Sequence, residues 1–340
     1  MNKILRLLDE KFVLELFRKE ILPQYPFFKD ISRVEIKPYK ELIWETTYHV
    51  VFGFKVFFVQ ANGQETKIPI FCSAHSDEPR ENVYLTLKYL WGLGLGKEEI
   101  DLPRPLFYSE EFNGTFYRGL SGQNLLYYIK NQKTVEIEKI VVSAAALFVR
   151  LHSLPAKTET NFNPINSRIK TVVPGISNIL EEMTLRYHGR YTADLKKIYD
   201  YFVEKEEAFF SSGQGLSVIH GDAHPENIIK TGKNRIGLID FTDFCLGDFA
   251  RDLGSFLQQL EYKIIRKTAD TSNAERMKKL FLDNYLKFSG RELSPELKER
   301  IDLYYNWTAI RTSTFWFLKF GHDEKRAEVL LNQVKKNLGF

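Results

Sequence analysis

The sequence predicts an α+β chain, a small β-rich lobe followed by a larger, mostly helical one. Three observations carry this. Residues 33–73 hold β-branched and aromatic runs with strand-like alternation and a hairpin signal, ANGQ. One helical stripe follows: Val83, Tyr84, Leu87, Leu90 and Trp91 share a face, and Gly92 or Gly94 can end it. Beyond residue 125 the apolar period becomes helical, apart from short strand-like pieces between 217 and 240.

Taken in order, MNKILRLLDEKFVLELF reads as an amphipathic helix whose acids argue against a signal peptide. RVEIKPY, TTYHVVFGFKVFFVQ and KIPIFCS are the first three strands, and RPLFYSE and TFYRGL are two more after the helix. Residues 139–152 place Ile140, Ala144, Leu147, Phe148 and Leu151 on one stripe, stopped by Pro155. Further helices are expected at 194–210, in RDLGSFLQQLEY, at 274–288, from Ser294-Pro295 to about Phe320, and at 324–337. The expected division is 1–119 and 120–340.

The 340 residues are 44% apolar and 27% charged, as in ordinary globular chains. A net charge of +4, with basic and acidic residues mixed, gives no argument for nucleic acid. Two cysteines, Cys72 and Cys245, make neither a disulfide framework nor a zinc site. No run approaches a membrane span, so a cytoplasmic protein without membrane partners is expected.

The chemistry concentrates in HGDAHPEN, His220 to Asn227, which leaves the apolar run LSVI. NIIK, TGKN and RIGLID then read as a hairpin turning at Thr231 to Asn234. A hairpin brings its ends together, so Asp222 and Asn227 are expected beside Asp240. Two carboxylates and an amide oxygen suit Mg²⁺, a hard cation that shares its shell with phosphate oxygens and water. His220 and His224 lack the third soft ligand that zinc requires.

This pattern resembles the aminoglycoside phosphotransferase and choline kinase family, which has the protein-kinase-like two-lobe fold. The residues that carry the resemblance are H-G-D-x-H-P-x-N followed by I-D-F, with LHSLP at 151–155, GDFARDLGSF at 247–256 and FYRGLSGQNL at 116–125. The resemblance implies a Mg²⁺-dependent transfer of a phosphoryl group from ATP or GTP to a hydroxyl of a small molecule. Acceptors in the family are aminoglycosides, choline, sugars and amino-alcohols. It implies that Asp222 is the catalytic base and that Asn227 and Asp240 hold Mg²⁺. His220 and His224 shape the loop, and Asp252 braces it. Tyr117, Arg118 and Leu120 fall in the interlobe hinge that borders the nucleotide.

The small lobe departs from the family pattern. The loop expected over the phosphates, KELIWETT, has no glycine, and Thr46 and Thr47 are its candidate phosphate contacts. Where the third strand should carry a lysine paired with a helix glutamate, here Glu81, stand Cys72 and Ser73. Lys40, Lys55 and Arg80 are the candidate replacements. ATP binding is therefore expected to be weak. The alternatives are a pseudokinase that binds nucleotide without turnover and a nucleotidyl transferase on the same fold.

Other residues read as structural. Asp243 and Asp248 are loop acids, and His152 and His188 carry no signal above surface or satisfied core histidines. Cys245 is a small buried residue. Tyr304, Trp307, Phe315 and Trp316 form a core stripe, with Asn306 and Arg311 on the same helix as possible pocket residues.

Overall fold

The computed structural model describes residues 2–96, 100–213 and 215–340. The chain folds into two units, Met1–Gln123 with Ile229–Thr242, and Asn124–Ile228 with Asp243–Phe340.

The first unit opens with a 3₁₀ segment, Lys3–Leu8, and then the helix α1, Glu10–Glu20. The amphipathic segment is thus not one helix. Asp9 divides it, its carboxylate accepting from the backbone of Lys11 and Phe12 as an N-cap. Three long strands follow: β1 (Phe28–Ile43), β2 (Tyr48–Gln60) and β3 (Glu65–His75). The helix α2 (Glu81–Gly92) comes next, then β4 (Ile100–Asp101), β5 (Arg104–Ser109) and β6 (Gly114–Arg118). The main sheet has the order β1-β2-β3-β6-β5, every pair antiparallel.

Alternation decides its two faces. Tyr48, Val50, Phe52, Phe54, Val56 and Phe58 of β2 are buried with Ile68, Ile70, Cys72 and Ala74 of β3, against Val13 and Phe17 of α1. Phe17 meets the ring of Phe54 edge-on at 5.1 Å. The intervening residues, among them His49, Phe71, Ser73 and His75, lie on the opposite face. β1 is more than twice the length of RVEIKPY. It is an edge strand with three register shifts, and among its residues only Ile31 and Val34 are buried. Pro38 is tolerated there for the same reason.

Residues 229–242 complete this unit. Thr231 and Gly232 both donate to the Arg235 carbonyl, closing the expected turn. The strand Ile236–Leu238 pairs in parallel with β4. Asp101 of β4 accepts from Thr231 and Arg235, and Asn82 of α2 donates to the Thr242 carbonyl at 2.9 Å. The segment carrying Asp240 is therefore fastened at both ends.

In the second unit, helices run over Leu125–Lys130, Thr134–His152, Ile176–Tyr187, Thr192–Ser211, Ala250–Thr268, Thr271–Ser289, Pro295–Leu318 and Glu324–Leu338. The helix Ile176–Tyr187 had no sequence expectation. The strands Ser217–Ile219 and Cys245–Gly247 pair antiparallel. The helix Ala250–Thr268 buries Leu253, Phe256, Leu260 and Ile264 completely. It crosses Pro295–Leu318 at Gly254, where a Cβ would stand 2.5 Å from the Ile301 carbonyl oxygen. Ser294 caps the latter helix as expected, accepting from the Leu297 amide. On that helix Tyr304 and Trp307 are core, but Phe315 is 57% exposed. Trp316 stacks under Arg326 and Lys319 and is only partly covered, so the stripe is half core and half surface. Among the described residues no helix is long and apolar enough to cross a membrane.

Candidate active site

The loop His220 to Asn227 is held from beneath by Asp252. This carboxylate is fully buried in the first turn of Ala250–Thr268, and it is not the N-cap. It accepts from the backbone amides of His220 at 2.7 Å and Gly221 at 2.9 Å. His152 Nε2 donates to it at 3.1 Å, while Nδ1 meets the Tyr285 hydroxyl at 2.8 Å. Burial works to raise the Asp252 pKa, but the bond from His152 and the charges of His152 and His220 hold it below the usual carboxylate range. Arg251, buried beside it, donates to the Gly221 carbonyl at 3.2 Å and lies over the Trp307 ring at 4.8 Å. Gly221 has φ of 82°, and a Cβ there would come within 2.2 Å of the Asp243 carbonyl oxygen. No other residue fits this corner.

Asp222 follows directly on this anchored corner. Its carboxylate lies 3.3 Å from His224 Nε2. Burial pushes its pKa up, but His224, then Arg311 and His220, outweigh burial and hold it well below the usual range. Asp222 is thus a carboxylate at neutral pH. Asn227 is buried, and its Nδ2 donates to the Asp222 carbonyl at 3.0 Å. With the NH₂ so engaged, Oδ1 is the end left to accept or to ligate a cation. Glu226 is paired with Lys263 at 3.2 Å.

Asp240 belongs to the first unit. It is exposed, with φ of 64°, and Oδ1 accepts from Thr242 Oγ1 at 2.9 Å. In the same unit Lys40 Nζ lies 3.0 Å from His49 Nε2, and the rings of His49 and His75 are 4.6 Å apart. Arg80 enters this group from the start of α2, with its side chain 6% exposed. Burial, then the charge of Lys40, pushes His49 down to about 3. Burial, then Arg80, lowers Lys40 against the opposing charges of Asp240 and Glu78.

The remaining first-unit residues separate by face. Cys72 is in the core, so only Ser73, paired with Val51 and Thr115, presents its side chain on the polar face. Glu81 is the exposed first residue of α2, and no cation pairs with it among the described residues. Thr46 and Thr47 sit in a tight turn closed by the Trp44 amide and the Thr47 carbonyl. Asn2 donates to the carbonyls of both Trp44 and Thr47. Tyr117 stacks on Phe71 at 5.9 Å. Burial, then the charge of Asp240, raises its hydroxyl pKa. Arg118 and Leu120 line a cavity of about 340 Å³ with Trp91, Asp101, Arg104 and Thr231. Lys55 is at the surface, tied to Glu35 at 3.1 Å.

The structure therefore gathers Asp222, His224, Asn227, His220 and Asp252 into one hydrogen-bonded loop, and Asp240, Lys40 and Tyr117 into one electrostatic neighbourhood of the first unit. Taken unit by unit, the first presents an exposed carboxylate, Asp240, and the second an amide whose oxygen is left available, Asn227; both are donors of the hard-oxygen kind. Among the described residues there is no group of three or more His, Cys, Asp or Glu that could hold a metal ion.

Two structural partners escaped the sequence reading. His152 was read as unremarkable, yet it closes the Asp252 network from 100 residues away. Arg251 stands inside the segment GDFARDLGSF, where nothing in the spacing distinguishes it. Their signal was position beside a motif, which spacing alone does not weight. Arg311 acts on Asp222, whereas Asn306 is occupied by Asp302 and Asn337.

Comparison with known families finds that the profile of the phosphotransferase enzyme family matches residues 52–289. No curated protein matches the chain. Among solved structures, an ethanolamine kinase of Plasmodium vivax superposes with a TM-score of 0.56 at 17% identity, over 88% of this chain and 81% of that one. The choline kinase LicA of Streptococcus pneumoniae gives 0.54 at 16% identity, over 96% of this chain and 98% of that one. APH(2'')-IIa, in a ternary complex with streptomycin and ATP, gives 0.53 at 16% identity, over 95% of each chain. The fold is the mixed α+β, protein-kinase-like one.

Proposed function

The chain belongs to the phosphotransferase enzyme family, and from that premise we propose that it moves the γ-phosphoryl group of a nucleoside triphosphate to a hydroxyl of a small molecule. The observation that carries this reading is the loop at Asp222. A carboxylate held ionised beside His224, on a backbone fixed by Asp252, is what a hydroxyl acceptor needs.

Asp222 orients the acceptor O–H and takes its proton. The acceptor oxygen bonds to the γ-phosphorus, the bond from that phosphorus to the bridging oxygen breaks, and nucleoside diphosphate leaves with the electron pair. The low pKa of Asp222 means that proton transfer lags behind the new P–O bond, as a loose transition state allows. Asn227 and Asp240 are the residues that would hold Mg²⁺, which neutralises phosphate charge when bound. His220, His224 and Asp252 keep the loop in shape. Tyr117, Arg118 and Leu120 border the nucleotide, and Thr46, Thr47, Ser73 and Glu81 complete its surroundings.

ATP or GTP is the donor. The acceptor is a small hydroxylated molecule of the aminoglycoside, choline, sugar or amino-alcohol type. The neighbours named for streptomycin, choline and ethanolamine support that breadth. One observation favours a second reading, nucleotide binding without turnover: Ser73 stands where a lysine is expected, and among the described residues no cation pairs with Glu81.

The experiment is release of ADP or GDP with Mg²⁺ over a panel of hydroxylated acceptors, for the parent chain and for Asp240→Asn. Turnover that depends on acceptor and Mg²⁺ and is lost in a folded Asp240→Asn variant supports the first reading. Nucleotide binding with no turnover on any acceptor supports the second. Parental Mg²⁺ dependence in the variant removes Asp240 as a ligand.

A further inference from the structure

The first unit carries a group of basic residues, two of them cationic, that the family pattern does not predict. Lys40 comes from β1, His49 from β2, His75 from β3 and Arg80 from the turn before α2. His49 and His75 are direct partners in the β2–β3 register. Lys40 Nζ lies 3.0 Å from His49 Nε2, and an ammonium only donates, so Nε2 is the acceptor and Nδ1 carries the proton. His75 Nδ1 accepts from the amides of Asp77 and Glu78, both at 3.1 Å, so its proton is on Nε2. Each ring thus keeps one N–H donor outside these bonds.

Arg80 adds the second, independent observation. Its residue is 5% exposed, yet among the described residues its ion pair is with Glu78 alone, at 3.3 Å through Nη1, and its buried Nε has no hydrogen-bond partner. A buried N–H of a guanidinium left without an acceptor is costly unless a ligand supplies one. The charge of Arg80 acts on Lys40, His49 and His75 together. The carboxylates that act on the group are Asp77, Glu78 and Asp240, and among the described residues no carboxylate takes Arg80 Nε or Lys40 Nζ.

We propose that Lys40 and Arg80, with the His49–His75 pair as neutral donors, form a polyphosphate-binding site that takes over the task of the absent third-strand lysine. This rests on the phosphotransferase reading, because the polyphosphate is the phosphate chain of the nucleotide. A cation at Lys40 reaches the polar face from β1, two strands away from Ser73. Asp240 lies in the same field, so a metal-chelated phosphate chain meets cation and carboxylate together.

The test is calorimetric titration with inorganic tripolyphosphate and with ATP, both with Mg²⁺. The chains are the parent, Lys40→Met, Arg80→Gln, Lys55→Met and the double variant Lys40→Met/Ser73→Lys. Circular dichroism confirms that each is folded. Lys40 is only partly covered on an edge strand, so its variant keeps the protein testable even where Arg80→Gln, a change to a buried residue, does not fold.

The expected result is that Lys40→Met weakens both ligands roughly 10-fold or more, the loss of one charge-assisted contact. Lys55→Met, a surface cation on the same sheet, leaves both unchanged, and Ser73→Lys restores binding in the Lys40→Met background. Parental affinity for both ligands in Lys40→Met overturns the site. So does a parent chain that binds neither. A parent that binds both but transfers no phosphoryl group to any acceptor leaves the site standing and overturns the catalytic reading alone.

Discussion

Replacing Asp252 by Asn changes one oxygen for an NH₂ and almost no volume. The carboxylate accepts three bonds with no solvent contact: from His220 N at 2.7 Å, Gly221 N at 2.9 Å and His152 Nε2 at 3.1 Å. All three donors point at it, so an amide must present its own N–H groups to at least one of them. The variant loses at least one bond to a charged acceptor, about 1.5–3 kcal/mol, and leaves a buried donor unsatisfied, about 1–3 kcal/mol more. The middle of that range is about 4 kcal/mol, a large fraction of a typical domain's stability. Urea unfolding at neutral pH reads the loss. Hydrogen exchange at the His220 and Gly221 amides locates it, because their protection should fall first. A variant within about 1 kcal/mol of the parent, with both amides still protected, would refute the claim that Asp252 holds the loop.

Other outcomes follow from the same geometry. Asp222→Asn keeps nucleotide affinity within a few-fold but lowers turnover by roughly 10² or more, and equal activity removes Asp222 from the mechanism. Gly221→Ala forces a Cβ to within 2.2 Å of a carbonyl at φ of 82°, so unfolding experiments should show a loss on the order of 1–3 kcal/mol or more. A parental midpoint would show that the corner relaxes freely. Glu206 is buried, bonded to the Ile169 amide and the Tyr304 hydroxyl, and burial pushes its pKa from 4.5 up to about 7. Between those values the folded chain keeps a proton that the unfolded chain releases, so stability falls as pH rises and stays low above about 7. The full effect is about 3 kcal/mol, and Glu206→Gln should remove it from the pH profile of unfolding. Parallel profiles for parent and variant would show that Glu206 does not titrate this way.

How much was legible from sequence followed burial. The β2 and β3 runs alternate because one face packs against α1, and the helix Thr134–His152 shows its stripe for the same reason. β1 was only half visible because an exposed edge with register shifts has no strict period. The helix Ile176–Tyr187 buries only Ile179 and Met183, too little for a stripe. At the site, residue type and order marked the loop, since Asp and Asn spaced around a turn are informative by themselves. Its supports were not marked. Asp252 is reached by a histidine from another helix, and nothing local announces that pairing. The choice between Cys72 and Ser73 needed the strand register. The pairing of Cys72 with Phe52 and Phe116 puts it in the core and leaves Ser73 on the other face.

The return of residues 229–242 to the first unit has a consequence for synthesis. Chains emerge from the ribosome N-terminus first, and domains generally fold as they emerge. The five-stranded sheet is complete once β6 has emerged. β4 is different: its partner strand, Ile236–Leu238, follows only after all of 124–228 has been made. Until then Asp101 lacks Thr231 and Arg235, and Asn82 lacks the Thr242 carbonyl. The first unit is therefore begun early and finished late, and its last piece to arrive is the one that carries Asp240. A gene cut at residue 123 would encode the large sheet without that carboxylate, and two separately expressed halves would have to exchange a hairpin to restore it.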